Sequence, residues 1–160
     1  MRKPASLRKA IESAVRELRH EGDRLKLWVE DGAVRSRQTE NHGFAFEYPL
    51  SVLVHETSTD IAIIVHAITR WLRIHQPDLL AGGAGDSFKF ETDILDNKTA
   101  DILFTLQLTE NVAITENEDG SWSVDYLAEP DPLFADGQGV FEGIDPVPLA
   151  GASADSIVAD

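Results

Sequence analysis

The sequence predicts a two-layer α+β domain, a mainly antiparallel sheet with two helices packed on one face. Three observations predict it. Two segments repeat apolar residues every three to four positions, six alternate them every second position, and in both kinds the apolar set is one-sided. A one-sided helix and a one-sided sheet each need a cover, and each supplies the other's. The chain has 160 residues, a length that fits one domain and buries roughly two-thirds of the unfolded surface without staples.

The first helix is read from Leu7, Ala10, Ile11, Ala14, Val15 and Leu18 at i, i+3, i+4, i+7 spacing. Pro4 suits its first turn, and Gly22 stands where a left-handed cap would end it. A strand follows in which Leu25, Leu27 and Val29 alternate with Arg24, Lys26 and Trp28, closed by the turn pair Asp31-Gly32. A polar connection from Arg35 to Gly43 leads to the longest strand expected, Phe44 to His55. Pro49 offers no ladder hydrogen bond, which assigns this strand to an edge or bulges it near its middle.

The second helix starts at Ser58-Thr59-Asp60, all N-cap residue types, with the stripe Ile61, Ile64, Val65, Ile68, Trp71 and Leu72. Pro77 stops it near His75 by disfavouring helical geometry in Gln76. Two antiparallel hairpins are expected next. Phe88–Leu95 and Asp101–Thr109 flank one turn, and Val112–Glu116 and Ser121–Leu127 flank another. Their apolar residues, Phe90, Ile94, Phe104, Leu106, Ile114, Trp122 and Val124 among them, are expected to cover the core, with Trp71 and Trp122 inside it. The domain is read as residues 1–128, followed by an acidic tail over 129–160 rich in Pro, Gly and Ala.

The chain carries 14 Lys+Arg against 28 Asp+Glu, a net charge of -14, and no cysteine. Disulfides, zinc-thiolate sites and thiol catalysis are excluded. The shortage of positive charge argues against specific nucleic-acid binding. The longest apolar run, Ile61 to Val65, is too short to span a membrane, and no export signal is expected at the N-terminus. The charge is unevenly spread. Residues 1–38 hold ten Lys/Arg and six Asp/Glu, a net of +4, and the remainder sums to -18. A basic face on one copy and an acidic face on the next is the arrangement that head-to-tail rings use.

Catalytic and metal patterns are weak. His20, His42, His55, His66 and His75 are scattered and form no HxH or HExxH motif. Glu91, Asp93, Asp96 and Asp101 are the one acidic group that a magnesium ion could draw together. The run Gly82-Gly83-Ala84-Gly85 lacks the lysine and hydroxyl residue of a phosphate loop, and no G-x-S-x-G elbow occurs. Trp28 points away from Leu25, Leu27 and Val29, which makes it the candidate aromatic anchor of a subunit contact.

Several segments carry a resemblance. Lys3-Pro4-x-Ser6-Leu7-Arg8, Leu25-x-Leu27-x-Val29-x-x-Gly32, Trp71-Leu72-Arg73-x-x-Gln76-Pro77-Asp78-Leu79, Phe88-x-Phe90 with Asp93-Ile94-x-x-Asn97, and Leu106-x-Leu108-Thr109-Glu110 occur in order. The ordered set resembles the tail completion protein R (GpR) family of temperate contractile-tailed bacteriophages, over about residues 3–127. The connection Arg35–His42 and the tail after Glu129 depart from it.

The resemblance implies a structural virion protein similar to tail terminators. It would form a ring, expected to be a hexamer, on the upper end of the tail tube, contacting tube and sheath proteins and letting a head completion or neck protein join. It implies no catalytic residue, metal or cofactor. For the ring contact, Lys26, Arg35 and Arg37 are expected to face Glu116, Glu118 and Asp119 of the next copy, with Trp28 as anchor. Two other classes remain open: a small metal-dependent enzyme on Glu91, Asp93 and Asp101, and an adaptor whose acidic tail binds a basic partner.

Overall fold

A computed structural model describes residues 1–82 and 85–129. The tail expected over 129–160 lies, apart from Glu129, outside the described residues. The chain forms helix α1 (Lys3–Ala14), strands β1 (Leu25–Val29), β2 (Ala33–Ser36) and β3 (Phe44–Thr57), helix α2 (Ile61–His75), and strands β4 (Lys89–Ile94), β5 (Ala100–Glu116) and β6 (Trp122–Tyr126). All strand pairs are antiparallel, in one six-stranded sheet. The α+β reading stands.

The sheet is built on β3 and β5, paired at twelve positions from Phe44 opposite Val112 to Thr57 opposite Ala100. Each is long enough to hold two shorter strands end to end. β1 pairs with Leu50–Val54 of β3, and β2 with its Phe44–Glu47. On the far side, β4 pairs with Ala100–Thr105 of β5, and β6 with its Val112–Glu116. One end of the sheet therefore reads β1-β3-β5-β4 and the other β2-β3-β5-β6.

Alternation assigns the even-numbered residues of β3 and β5 to the helix side. Leu50, Val52, Val54, Ile102, Phe104, Leu106 and Leu108 pack there with Leu7 and Ile11 of α1 and Ile64, Ile68 and Leu72 of α2, all buried. Asp60 caps α2, its carboxylate accepting from Ala62 N at 2.8 Å.

The described residues differ from the sequence reading at several points. α1 ends at Ala14, because Val15 turns extended (φ -103°, ψ 105°) and the chain tightens into a 3₁₀ turn over Arg16–Arg19. A 3₁₀ turn repeats every three residues, so Leu18 still falls on the face of Val15, and both are buried. Gly22 opens a second such turn, Gly22–Arg24, and is not a left-handed cap.

Residues 33–36, partly read as connection, form β2; all four are exposed, so no apolar alternation marked them. β3 is central. Pro49 is tolerated because Tyr48 and Pro49 lie between the stretches that pair with β2 and β1, opposite the Asp31-Gly32 turn. The bulge sits instead between Val54 and Thr57, where Glu56 takes φ 48° and donates its N–H to Asp101 Oδ1 at 2.8 Å. The two expected hairpins form, but share one continuous 17-residue strand, β5, which is longer than β3. Their outer strands do not bury their apolar residues. Phe90, Ile94, Trp122 and Val124 are about half or more exposed, because the helices reach only the middle of the sheet; Trp71 is buried as expected.

Candidate functional site

Between β4 and β6 the outer edge of β5 has no strand partner, and its polar groups are met by the ends of the two helices. The side chain of Gln76, 1% exposed, accepts from Thr109 N at 3.1 Å and donates to Thr109 Oγ1 at 3.0 Å and Asp78 Oδ1 at 2.6 Å. Lys3 Nζ donates to Thr109 O at 2.6 Å, Gln76 Oε1 at 2.7 Å and Glu129 Oε1 at 2.8 Å, using its three protons. Arg2, the N-cap residue of α1, caps nothing with its own side chain. Glu110 Oε1 instead accepts from Arg2 N and Lys3 N, each at 2.6 Å, and a carboxylate there also meets the positive end of the helix. Trp71 Nε1 donates to Ser6 Oγ at 2.9 Å.

Three of the resembling segments thus converge in space, around Lys3, Gln76 and Glu110, and what they build is a buried junction of helix ends and strand edge. Beside it, Tyr48 Oη and Glu110 Oε2 are buried without a hydrogen-bond partner among the described residues. Burial and the Glu110 charge hold the Tyr48 phenol above its ordinary value. No periodicity announces these contacts, most of which join residues 33 to 126 positions apart.

The predicted contact residues divide into groups. Lys26 and Trp28 share the sheet face opposite the helices, opposite Leu53 and Ser51 in register. Trp28 is 36% exposed, with its Nε1 donating to Glu30 Oε1 at 3.0 Å. Arg35 and Arg37 meet in an open groove of about 820 Å³ that also holds Asn41, Phe44, Asn111 and Leu127. Arg35 already pairs with Glu47 at 2.8 Å within the chain. Arg35 is opposite Ala45 and Lys26 opposite Leu53, eight positions apart on β3 or about 26 Å, so the three basic residues form no single patch. Glu116, Glu118 and Asp119 gather on the β5–β6 hairpin, where Ser121 hydrogen bonds hold the Asp119 carboxyl below its ordinary value. Trp122 stands opposite Glu116 and meets His42 edge-on at 4.8 Å.

Of the four acids read for magnesium, Glu91, Asp93, Asp96 and Asp101, two are otherwise engaged, Asp96 and Asp101. Asp93 and Asp101 are opposite each other in register, but Asp101 accepts from Glu56 N and pairs with His55 Nδ1 at 2.8 Å. Asp96 accepts from Lys98 N and Thr99 N in its turn. No three His, Asp or Glu side chains among the described residues stand close enough to hold a metal ion.

Comparison with known proteins gives two positive findings. The family model for P2 phage tail completion protein R (GpR) matches residues 1–130. Tail completion protein R of Escherichia phage P2 is 34% identical over 134 residues, covering 82% of this chain and 86% of that protein. No solved structure matches. The family match takes in every described residue, the buried junction included, and the chain belongs to the P2 phage tail completion protein R (GpR) family.

Proposed function

We propose that this protein completes the contractile tail as a closed ring on the upper end of the tube, providing the surface on which a head completion or neck protein joins. The observation that carries the reading is the family match over residues 1–130. Tail completion is a structural role in tail assembly, so the protein is a virion component and not an enzyme. The finer reading draws support from the layout of charge. At the β2-β3-β5-β6 end, Arg35 and Arg37 lie by one edge strand, while Glu116, Glu118 and Asp119 lie by the other. Two intervening strands separate them. Opposite charges on opposite edges suit a heterologous contact, in which each copy offers one edge to the next and the chain of copies closes. A hexamer, with Trp28 as an aromatic anchor, is the assembly we propose, formed in the host cytoplasm.

Electron microscopy of lysates from a strain lacking this gene, beside the complemented strain, tests the reading. Tails of irregular length, or uncapped tails never joined to filled heads, are expected. Normal particles would remove the assembly role.

A further inference from the structure

The seam between the two helices carries an open groove, of about 320 Å³, lined by Ala10, Ser13, Ala14, Ala67, Trp71 and Ile74 with Arg70 and His75. Its walls are small and apolar, its lining includes no acid, and Ile74 is 41% exposed beside it. The last described stretch of the chain leads to one end of this groove. Leu127 N donates to Asn111 O, and two residues later Glu129 is fixed by Lys3 Nζ at 2.8 Å. Lys3 and Glu129 are the charges that act on the His75 imidazole, which stacks on Trp71 at 4.8 Å.

From Glu129 the sequence runs Pro130-Asp131-Pro132-Leu133-Phe134-Ala135-Asp136. Residues 130–160 hold six acids and no Lys or Arg. We propose that residues 130–136 of the same chain occupy the α1–α2 groove, with Leu133 and Phe134 on its alanine floor and Asp131 and Asp136 toward Arg70 and the basic outer side of the helices.

The lengths agree. Five residues from Glu129 to Phe134 reach about 17 Å when extended, and the groove from His75 to Ala67 is eight helical residues, about 12 Å. Charge agrees as well, since the segment's only charges are those of its two aspartates, and the helices that flank the groove carry Arg8, Lys9, Arg70 and Arg73 against Glu12, which pairs with Arg8. Two prolines before Leu133 restrict the segment and lower the entropy lost on docking. This inference does not depend on ring formation.

The absence of cysteine allows a direct test on the full chain. Asp136→Cys carries a single nitroxide, and methyl signals are compared with the label oxidised and reduced. Loss of the Ala10, Ala67 and Ile74 signals, with those of Leu53 and Leu103 on the opposite sheet face retained, is expected. Adding Leu133→Ser and Phe134→Ser should restore the lost signals. Retention of all signals, or loss that survives the two serine changes, would overturn the proposal. A mixture of spin-labelled chains with isotope-labelled chains lacking the nitroxide identifies the source. Signal loss that persists on the nitroxide-free chains of the mixture assigns the groove to a second copy's tail and overturns docking within the chain.

Discussion

Glu110 and Glu17 both bring a carboxylate to backbone N–H groups of a distant segment. Glu110 satisfies the start of α1 from a strand more than 100 residues away, so Glu110→Ala strands two donors at a buried helix end. A loss of about 2 kcal/mol in urea unfolding is expected, with Glu110→Gln losing less because its amide oxygen still accepts. Glu17 binds the turn ahead of α2, accepting from the hydroxyls of Thr57, Ser58 and Thr59 and from the N–H groups of Ser58 and Thr59. Burial alone would raise its pKa, but these hydrogen bonds outweigh it and bring the value down to about 2, from 4.5. A folded value below the unfolded one means the stabilisation is complete above pH 4.5 and is lost as pH falls toward 2. Thermal melts across that interval should show a shallower pH slope for Glu17→Gln; an unchanged slope would remove Glu17 as its source.

At the scale of elements, Gln76 is where a helix end stands in for a missing strand. Gln76→Ala leaves the Thr109 N–H without its acceptor, for a cost of about 1–3 kcal/mol. Hydrogen exchange at Thr109 should accelerate while the amide of Leu106, opposite Leu50 in the β3–β5 pairing, stays protected. This element was half legible in the sequence. Pro77 marked the end of α2 near His75, and Leu106 and Leu108 marked β5, because stops and alternation are local signals. That Gln76 reaches Thr109, and Lys3 both, is a tertiary fact that no local period encodes. The same limit explains β2, a strand made by its partner and not by its own pattern, and the exposed Trp122 and Phe90, whose alternation is correct but whose cover stops short. Of the candidate contact residues, types and signs of charge were legible; the separation of Lys26 from Arg35 and Arg37 followed only from register.

For the whole molecule, the proposed ring contact makes Arg37 the informative position, because Arg35 is also held by Glu47. Arg37→Glu should reduce self-association of purified protein in sedimentation velocity and leave the melting temperature unchanged; unaltered sedimentation would sink the pairing with the Glu116–Asp119 hairpin. Trp28→Ala should act in the same direction without altering salt dependence, since an aromatic anchor is not screened. The twelve-position pairing of β3 with β5, from which both ends of the sheet extend, has a mechanical meaning. Ladder hydrogen bonds stand perpendicular to the strands. A pull along β3 against β5 therefore loads all of them together in shear, whereas a pull across the sheet peels β4 or β6 away one bond at a time. A subunit built this way withstands tension along its strands through its central pair and yields first at its outermost strands.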